Sequence, residues 1–414
     1  MKQFLLLSML LCLPFTACND DVEEQSILPT MQPIELNATE KEMAAQQGDF
    51  ASTLSLELCR QLGGEKTDNW LVSPFSLQCA LGMLSNGANG ETREEILYAL
   101  GLSQYSQEEV NAYFKKLIEG LHTVNSAITV KTANSVWGNA GITLKEDFQK
   151  MNIENYCAMV SQLDFSDPSA VDQINAWCNQ TTEGLIPSIL DEVNPTATVY
   201  LLNSLYFKAR WESEFAPEKT QEGYFNTSSG KVVKADFMQT QRMAAYVENE
   251  RFTSTSLSYQ NDSYVMRLIL PQPEISIDQV LQALSESDEN LWKNTILADI
   301  NLKMPRFTLE NKMDLTPTLQ ALGMKKAFSG GADFSSMSDV ATYISLVQQA
   351  TRLKVDEEGS EGAAVTVIEG YLSDLMRPLP EEEVDFFLDR PFLFQIIESS
   401  TGTVLFMGQV GAPV

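Results

Sequence analysis

The chain has 414 residues, 44% of them hydrophobic, and carries 56 acidic against 28 basic side chains, a net charge of −28 at pH 7. That apolar share excludes a disordered chain. The charge excludes nucleic-acid binding, which needs clustered Lys and Arg, and spontaneous adsorption to anionic lipid. A single histidine, His122, rules out HExxH and multi-histidine metal sites, so no metal or other cofactor is expected. It also leaves one residue for any Ser-His-Asp or Cys-His centre. His122 follows a helical stretch, Tyr113 to Leu121, and reads as a surface or helix-end side chain.

In chain order, Met1 to Cys18 comes first: a lysine, an apolar run from Phe4 to Pro14, then small residues. This is the pattern of a secretory signal, too short to remain as a spanning helix. Phe15-Thr16-Ala17-Cys18 is similar to a bacterial lipobox, with Phe15 where Leu is usual. Cys18 would then be the lipidated first residue, an ordinary cleavage nearby being the alternative. The acidic run after Cys18, Asn19 to Glu24, resembles the surface-export tags of some Gram-negative lipoproteins, or is plain linker. The expected location is the outer membrane or cell surface, with release outside the cell as a further outcome. The expected organisation is a signal over 1–17, an acidic tether over 18–44 with Pro29 and Pro33, and one folded domain over 45–414. Cys12 leaves with the signal. Cys59, Cys79, Cys157 and Cys178 show no metal spacing, and no essential disulfide is expected.

Within the domain, Phe50, Leu54, Leu58 and Leu62 recur at helical spacing. Helices are predicted over Leu77–Ser85 after Ser73-Pro74, Thr92–Leu100 before Gly101, Leu144–Asn155, Val171–Thr182 and Met313–Leu322. Strands are predicted over Ala127–Trp137, Val199–Lys208, Tyr264–Leu270 and Asn301–Met304. Phe392–Ile397 and Val404–Val410 read as a hairpin. Helices dominate early and strands late, without a Rossmann glycine pattern or an internal repeat. The class is α+β in one domain.

Asp356 to Asp385 is rich in Gly, Ala, Ser and acid, as a linker would be. Its parity says otherwise. From Ser360 at period two, one face carries Ser360, Gly362, Ala364, Thr366, Ile368 and Gly370; the other carries Glu361, Ala363, Val365, Val367 and Glu369. Both charges fall on the second face, as in a strand with one side buried and one side wet. The β-branched run Val365 to Ile368 favours extended backbone, and no proline interrupts before Pro378.

Here the chain resembles a known family. Glu357-Glu358-Gly359-Ser360-Glu361-Gly362-Ala363-Ala364 is similar to the hinge of the serpin reactive loop. Asn69-Trp70-Leu71-Val72-Ser73-Pro74-Phe75-Ser76 resembles the serpin shutter segment, and Leu202 to Trp211 the strand that ends in the breach tryptophan. Asp389-Arg390-Pro391-Phe392-Leu393-Phe394 and Leu405 to Val410 resemble the C-terminal signature. The likeness runs from about residue 45 to the end.

The resemblance implies three β-sheets, eight or nine helices and an exposed reactive-centre loop, here about residues 357–385. It also implies a suicide substrate: a serine protease cleaves the loop, and the freed hinge inserts into the central sheet while the acyl-enzyme is still attached. Such a protein is an inhibitor, not an enzyme. The hinge, Glu357 to Thr366, places small residues at Ser360, Gly362, Ala364 and Thr366, with Gly362 where alanine is usual. Ser73, Ser76 and Asn203 match the polar shutter, where Gln349 stands at the usual histidine; Trp211 matches the breach. Each of these is also a plausible core-packing residue. The loop is several residues longer than usual. Forward counting puts the scissile bond at Leu372–Ser373 or Ser373–Asp374, with Tyr371 and Met376 as further candidates. These favour chymotrypsin-, elastase- or subtilisin-like partners, cysteine proteases being a further class. A monomer is expected, touching membrane only through Cys18. The rival readings are a non-inhibitory binding protein and a hydrolase built on His122.

Overall fold

The structure is a computed structural model that describes residues 32–64, 69–286, 288–360 and 383–413. Capping chemistry sets the first helices. Helix α1 (Ala38–Leu62) begins at Asn37, whose side chain accepts the Glu40 N–H while Glu40 reaches back to the Asn37 N–H. It ends at Gly63, φ 113°, a left-handed stop that glycine adopts without steric cost. Helix α2 (Pro74–Gly87) starts from a Ser73 cap with proline in its first turn, and all of its residues are buried. A helix apolar all round belongs inside a core. Helices α3 (Gly90–Ala99), α4 (Gln107–Leu121), α5 (Glu146–Tyr156) and α6 (Ala170–Thr181) follow, with α7 (Ile277–Ser285) and α8 (Thr316–Ala321) later, eight among the described residues.

Two expectations are corrected. Residues 38–44, assigned to the tether, are already helix, because the capping box fixes the start at Asn37. The chain ahead of it is docked too: the Gln32 N–H donates to Val124 O at 2.9 Å, and Ile34 is buried with its N–H on the Ser400 hydroxyl. Met313 and Asp314 are strand rather than helix. Their ladder to Gln349 and Gln348 outweighs helical spacing, and α8 starts only at Thr316.

Strands form two hydrogen-bonded sheets. The central one has six strands in the order β10 (Phe307–Asp314), β11 (Ile344–Val355), β12 (Gly359–Ser360), β4 (Val199–Arg210), β2 (Thr129–Asn139) and β3 (Met159–Leu163). The other has nine: β1 (Asn69–Val72), β15 (Val404–Val410), β14 (Phe392–Glu398), β8 (Tyr264–Pro271), β7 (Phe252–Ser258), β6 (Val232–Glu248), β9 (Ile296–Pro305) and β13 (Glu383–Phe387), with β5 (Gln221–Asn226) on β6. Strand β6 serves two regions. Phe237–Tyr246 pair with β9, and Tyr246–Glu248 pair with β7. The small third sheet is thus the continuation of the second through one long strand, and the fold is the α+β, three-sheet architecture that the resemblance implies.

The main core lies between the central sheet, α2 and the β14–β15 hairpin, both of whose strands are buried throughout. A second cluster, including Trp137, Phe165, Ile174, Tyr200 and Leu202, covers the lower part of the central sheet beneath α6 and residues 182–198.

Candidate functional site

The central sheet is split. Strands β4 and β11 run parallel and pair from Ile344↔Val199 to Gln349↔Asn203. Beyond that point their register lapses. Ser204–Lys208 on β4 and Ala350–Lys354 on β11 face each other with no ladder between them among the described residues. Their outer edges are fully paired, β4 with β2 and β11 with β10. Each strand therefore presents one unladdered edge to the slit, an unusual feature in a sheet interior. At the head of the slit sits β12, antiparallel to both neighbours: Ser360 opposite Val355 and Ala209, Gly359 opposite Arg210.

The hinge is held at that head by several elements. The Trp211 indole donates to Asp356 O at 2.9 Å, and its ring stacks on Tyr259 with centroids 4.5 Å apart. The Trp211 N–H donates to Glu358 O, and the Phe215 N–H to Glu357 O. Glu357 is buried, accepting from Thr220 Oγ1 at 2.6 Å and pairing with Arg306 Nε at 2.9 Å. Gly359 has no room for a side chain: a Cβ there would lie 2.1 Å from Ala209 O. Ser360 is fully buried, its hydroxyl 2.5 Å from the Tyr259 phenol oxygen. Burial pushes the Tyr259 phenol well up, so it stays a neutral partner.

At the lower end, the buried Gln349 amide grips Ser73 twice, accepting its N–H at 2.8 Å and donating to its carbonyl at 3.0 Å. The same Nε2 donates to Asn203 Oδ1 at 3.0 Å. Ser73 Oγ donates to Leu405 O on the hairpin. One amide therefore joins β11, β4 and the start of α2 at the point where the ladder stops. Residues 182–198 form a strap over the same region. On one side the Arg352 guanidinium donates to Leu185 O, and Lys312 pairs with Asp191 at 2.6 Å. On the other, Tyr200 OH accepts the Asn194 N–H, and Asn139 Nδ2 donates to Ala197 O. The strap is fastened to both halves of the sheet.

The structure thus brings Ser73, Asn203 and Gln349 together, with Ser76 in the first turn of α2 and its N–H on Ser73 Oγ. It places Trp211 against Asp356 to Glu358. Glu361 to Thr366, the scissile candidates Tyr371, Leu372, Ser373, Asp374 and Met376, and Cys18 lie outside the described residues. Sequence reasoning missed Tyr259, Thr220 and Arg306, which come from strand ends and connections far along the chain and carry no local pattern. His122 caps the end of α4, exposed. The thiols of Cys59 and Cys178 are pushed up to about 12 by burial, and burial raises that of Cys79 well above its ordinary value, which keeps them protonated. No group of metal-ligating side chains occurs among the described residues.

Known proteins are similar to this chain in sequence and fold. The bovine leukocyte elastase inhibitor is 30% identical over 387 residues, which cover 90% of this chain and all of the relative. The crystal structure of a thermophilic serpin, tengpin, in the native state superposes with a TM-score of 0.80 at 29% identity, covering 92% of this chain and 97% of the other. Human thyroxine-binding globulin complexed with thyroxine gives 0.82 at 26% identity, covering 91% of this chain and all of the other. The family model for serpins, serine protease inhibitors, matches residues 49–413. With a split sheet, a hinge at its head and a family model spanning nearly the whole folded domain, the chain belongs to the serpin family.

Proposed function

We propose that this serpin is a suicide-substrate inhibitor of serine endopeptidases, exported and held at the cell surface by a lipid on Cys18. The observation that carries the reading is β12. A chain leaving Ser360 in the direction of β12 runs down the slit, antiparallel to both unladdered edges. After cleavage of the loop, the hinge from Glu361 to Thr366 follows that course, and its uncharged face of Gly362, Ala364 and Thr366 continues the buried face begun by Ser360. Five positions on each edge accept roughly ten ladder bonds. At about 0.5–1.5 kcal/mol each, insertion releases on the order of 10 kcal/mol. That release drives the acyl-enzyme to its trapped state without any catalytic residue from the inhibitor. Gln349, Asn203 and Ser73 act as the lower gate, and Trp211 with Tyr259 as the upper one. Forward counting from the hinge favours Leu372–Ser373 or Ser373–Asp374 as the scissile bond, which suits chymotrypsin-, elastase- or subtilisin-like partners.

A protease panel on denaturing gels tests this, with the expected result a detergent-stable adduct and a C-terminal peptide beginning at Ser373 or Asp374. Thr366→Arg puts a charge on the buried face and is expected to convert the inhibitor into a plain substrate. Undiminished adduct with that variant overturns the mechanism. The likeness to thyroxine-binding globulin favours a second reading, a non-inhibitory binding protein, which is cleaved without adduct and gains no heat resistance.

A further inference from the structure

A cavity of about 340 Å³ opens between α1, the end of α7, the turn Glu289–Trp292 and the part of the second sheet made by β8, β14 and β15. That volume is in the range of small-molecule sites. None of the hinge, shutter or breach residues lines it. Its walls are apolar, with Leu284, Leu291, Ile397 and Val404 all buried. One cation, Arg267 of β8, also lines it. The sheet register sets Arg267 directly opposite the buried Gln395 of β14, and its Nη1 donates to Gln395 Oε1 at 3.2 Å. The guanidinium lies over the Trp292 indole, 4.4 Å from the ring centroid, and Trp292 is backed by Phe252 with centroids 5.2 Å apart. These contacts hold the head group without neutralising it. Its fork of N–H donors makes one hydrogen bond among the described residues, the one to Gln395. Burial lowers its pKa to about 10, with no carboxylate acting to raise it, so the group stays charged. Asp49 and Asp288 line the cavity too, but both are exposed, and Asp288 already accepts the Asn290 N–H at 2.9 Å.

We propose that this cavity binds a small amphipathic monoanion, a carboxylate on a flat, ring-bearing body, with the carboxylate on the Arg267 fork and the body against Trp292, Leu291 and Ile397. A planar carboxylate matches a guanidinium in two parallel hydrogen bonds. The apolar walls reward a ligand that brings surface to bury, which a bare ion does not. Asp49 and Asp288 limit the ligand to one negative charge, because a second would face them. The proposal goes beyond the inhibitor reading and does not rest on it, since the cavity uses no residue of the slit.

The probe is 2-naphthylacetate, with 2-naphthylacetamide as its neutral counterpart and acetate as the head group alone, each titrated into the full chain by calorimetry. The carboxylate is expected to bind about tenfold or more tightly than the amide, and acetate is expected to be too weak to displace it. Equal affinity for carboxylate and amide, displacement by acetate at a like concentration, or no binding of 2-naphthylacetate up to about 1 mM overturns the proposal. Arg267→Met is expected to abolish the preference for the carboxylate while the amide still binds, and Arg267→Lys to restore part of it. A preference that survives Arg267→Met overturns the assignment to Arg267. Should that variant fail to fold, Asp49→Asn with Asp288→Asn carries the test, because both positions are exposed and asparagine keeps an acceptor for the Asn290 N–H. Carboxylate affinity is then expected to rise by about twofold to fivefold at low salt and to converge on the parent at high salt. No rise, or an equal rise for the amide, counts against the site. A protease-adduct assay on the same preparation separates the two readings. Adduct without 2-naphthylacetate binding sinks this proposal alone, and binding without adduct leaves it standing while the inhibitor reading falls.

Discussion

The β14–β15 hairpin and the β4–β11 pair lie within one core yet are built in opposite ways. The hairpin is laddered between two strands buried on every residue, and closed by an exposed turn in which Glu398 accepts the N–H groups of Ser400 and Thr401. The β4–β11 pair is laddered only as far as Asn203 and Gln349, then opens around β12. Both regions are apolar and β-branched enough to form strands, so propensity does not separate them. What separates them is what stands at their ends. A tight turn forces the hairpin into register. A wedge at the top holds the other pair apart, above the point where the Gln349 amide ties its two strands together. The lesson is that an open sheet needs specific residues to keep it open.

The largest effect expected is the one that removes the difference. Nicking the chain between Tyr371 and Arg377 lets the slit fill, and the melting temperature rises by about 10 °C or more, given an order of 10 kcal/mol and the usual unfolding entropy per residue. Calorimetry of intact and nicked protein reads it directly. Next is Gly359→Val, which drives a side chain into Ala209 O and unseats β12. Overpacking of this kind costs about 1–3 kcal/mol, and more inhibitor is expected to be consumed per protease trapped. Arg306→Ala leaves Glu357 with Thr220 alone. Because Arg306 is 45% exposed, the loss is modest, about 1 kcal/mol, seen as a lower denaturant midpoint and faster spontaneous insertion. The smallest effect is a change of character rather than size. Gln349 does not titrate, so the lower lock is expected to be level from pH 6 to 8. Gln349→His introduces an imidazole whose charged form burial disfavours. Its folded pKa lies below the unfolded value of about 6.5, so stability is lost as pH falls beneath that value. A midpoint that stays constant from pH 7.5 to 5.5 in this variant would show that the site is wetter than its burial implies.

Much of this was legible in the chain. Ser73-Pro74 announces α2, the apolar run Val199–Lys208 announces β4, and Ser399 to Gly402 announces the hairpin turn, because each is a local signal with a local cause. Ser360, where the period-two reading of the hinge starts, is buried in β12 together with Gly359, and the rest of that reading lies outside the described residues. The strap over 182–198 was not legible, since it holds by side chains and carbonyls spread over more than a hundred residues of sequence. Nor was Arg306, an ordinary surface cation until the fold sets Glu357 beside it. The start of α1 was placed too late because its first two turns are polar, and their signal is the cap at Asn37 rather than apolar spacing.

The unladdered edges of β4 and β11 accept any strand of suitable shape, whichever molecule it comes from. In a concentrated, gently warmed solution, a neighbour's loop competes with the molecule's own, and linkage head to tail has no geometric stopping point. Storage conditions and working concentration therefore belong to the chemistry of this protein as much as its target does.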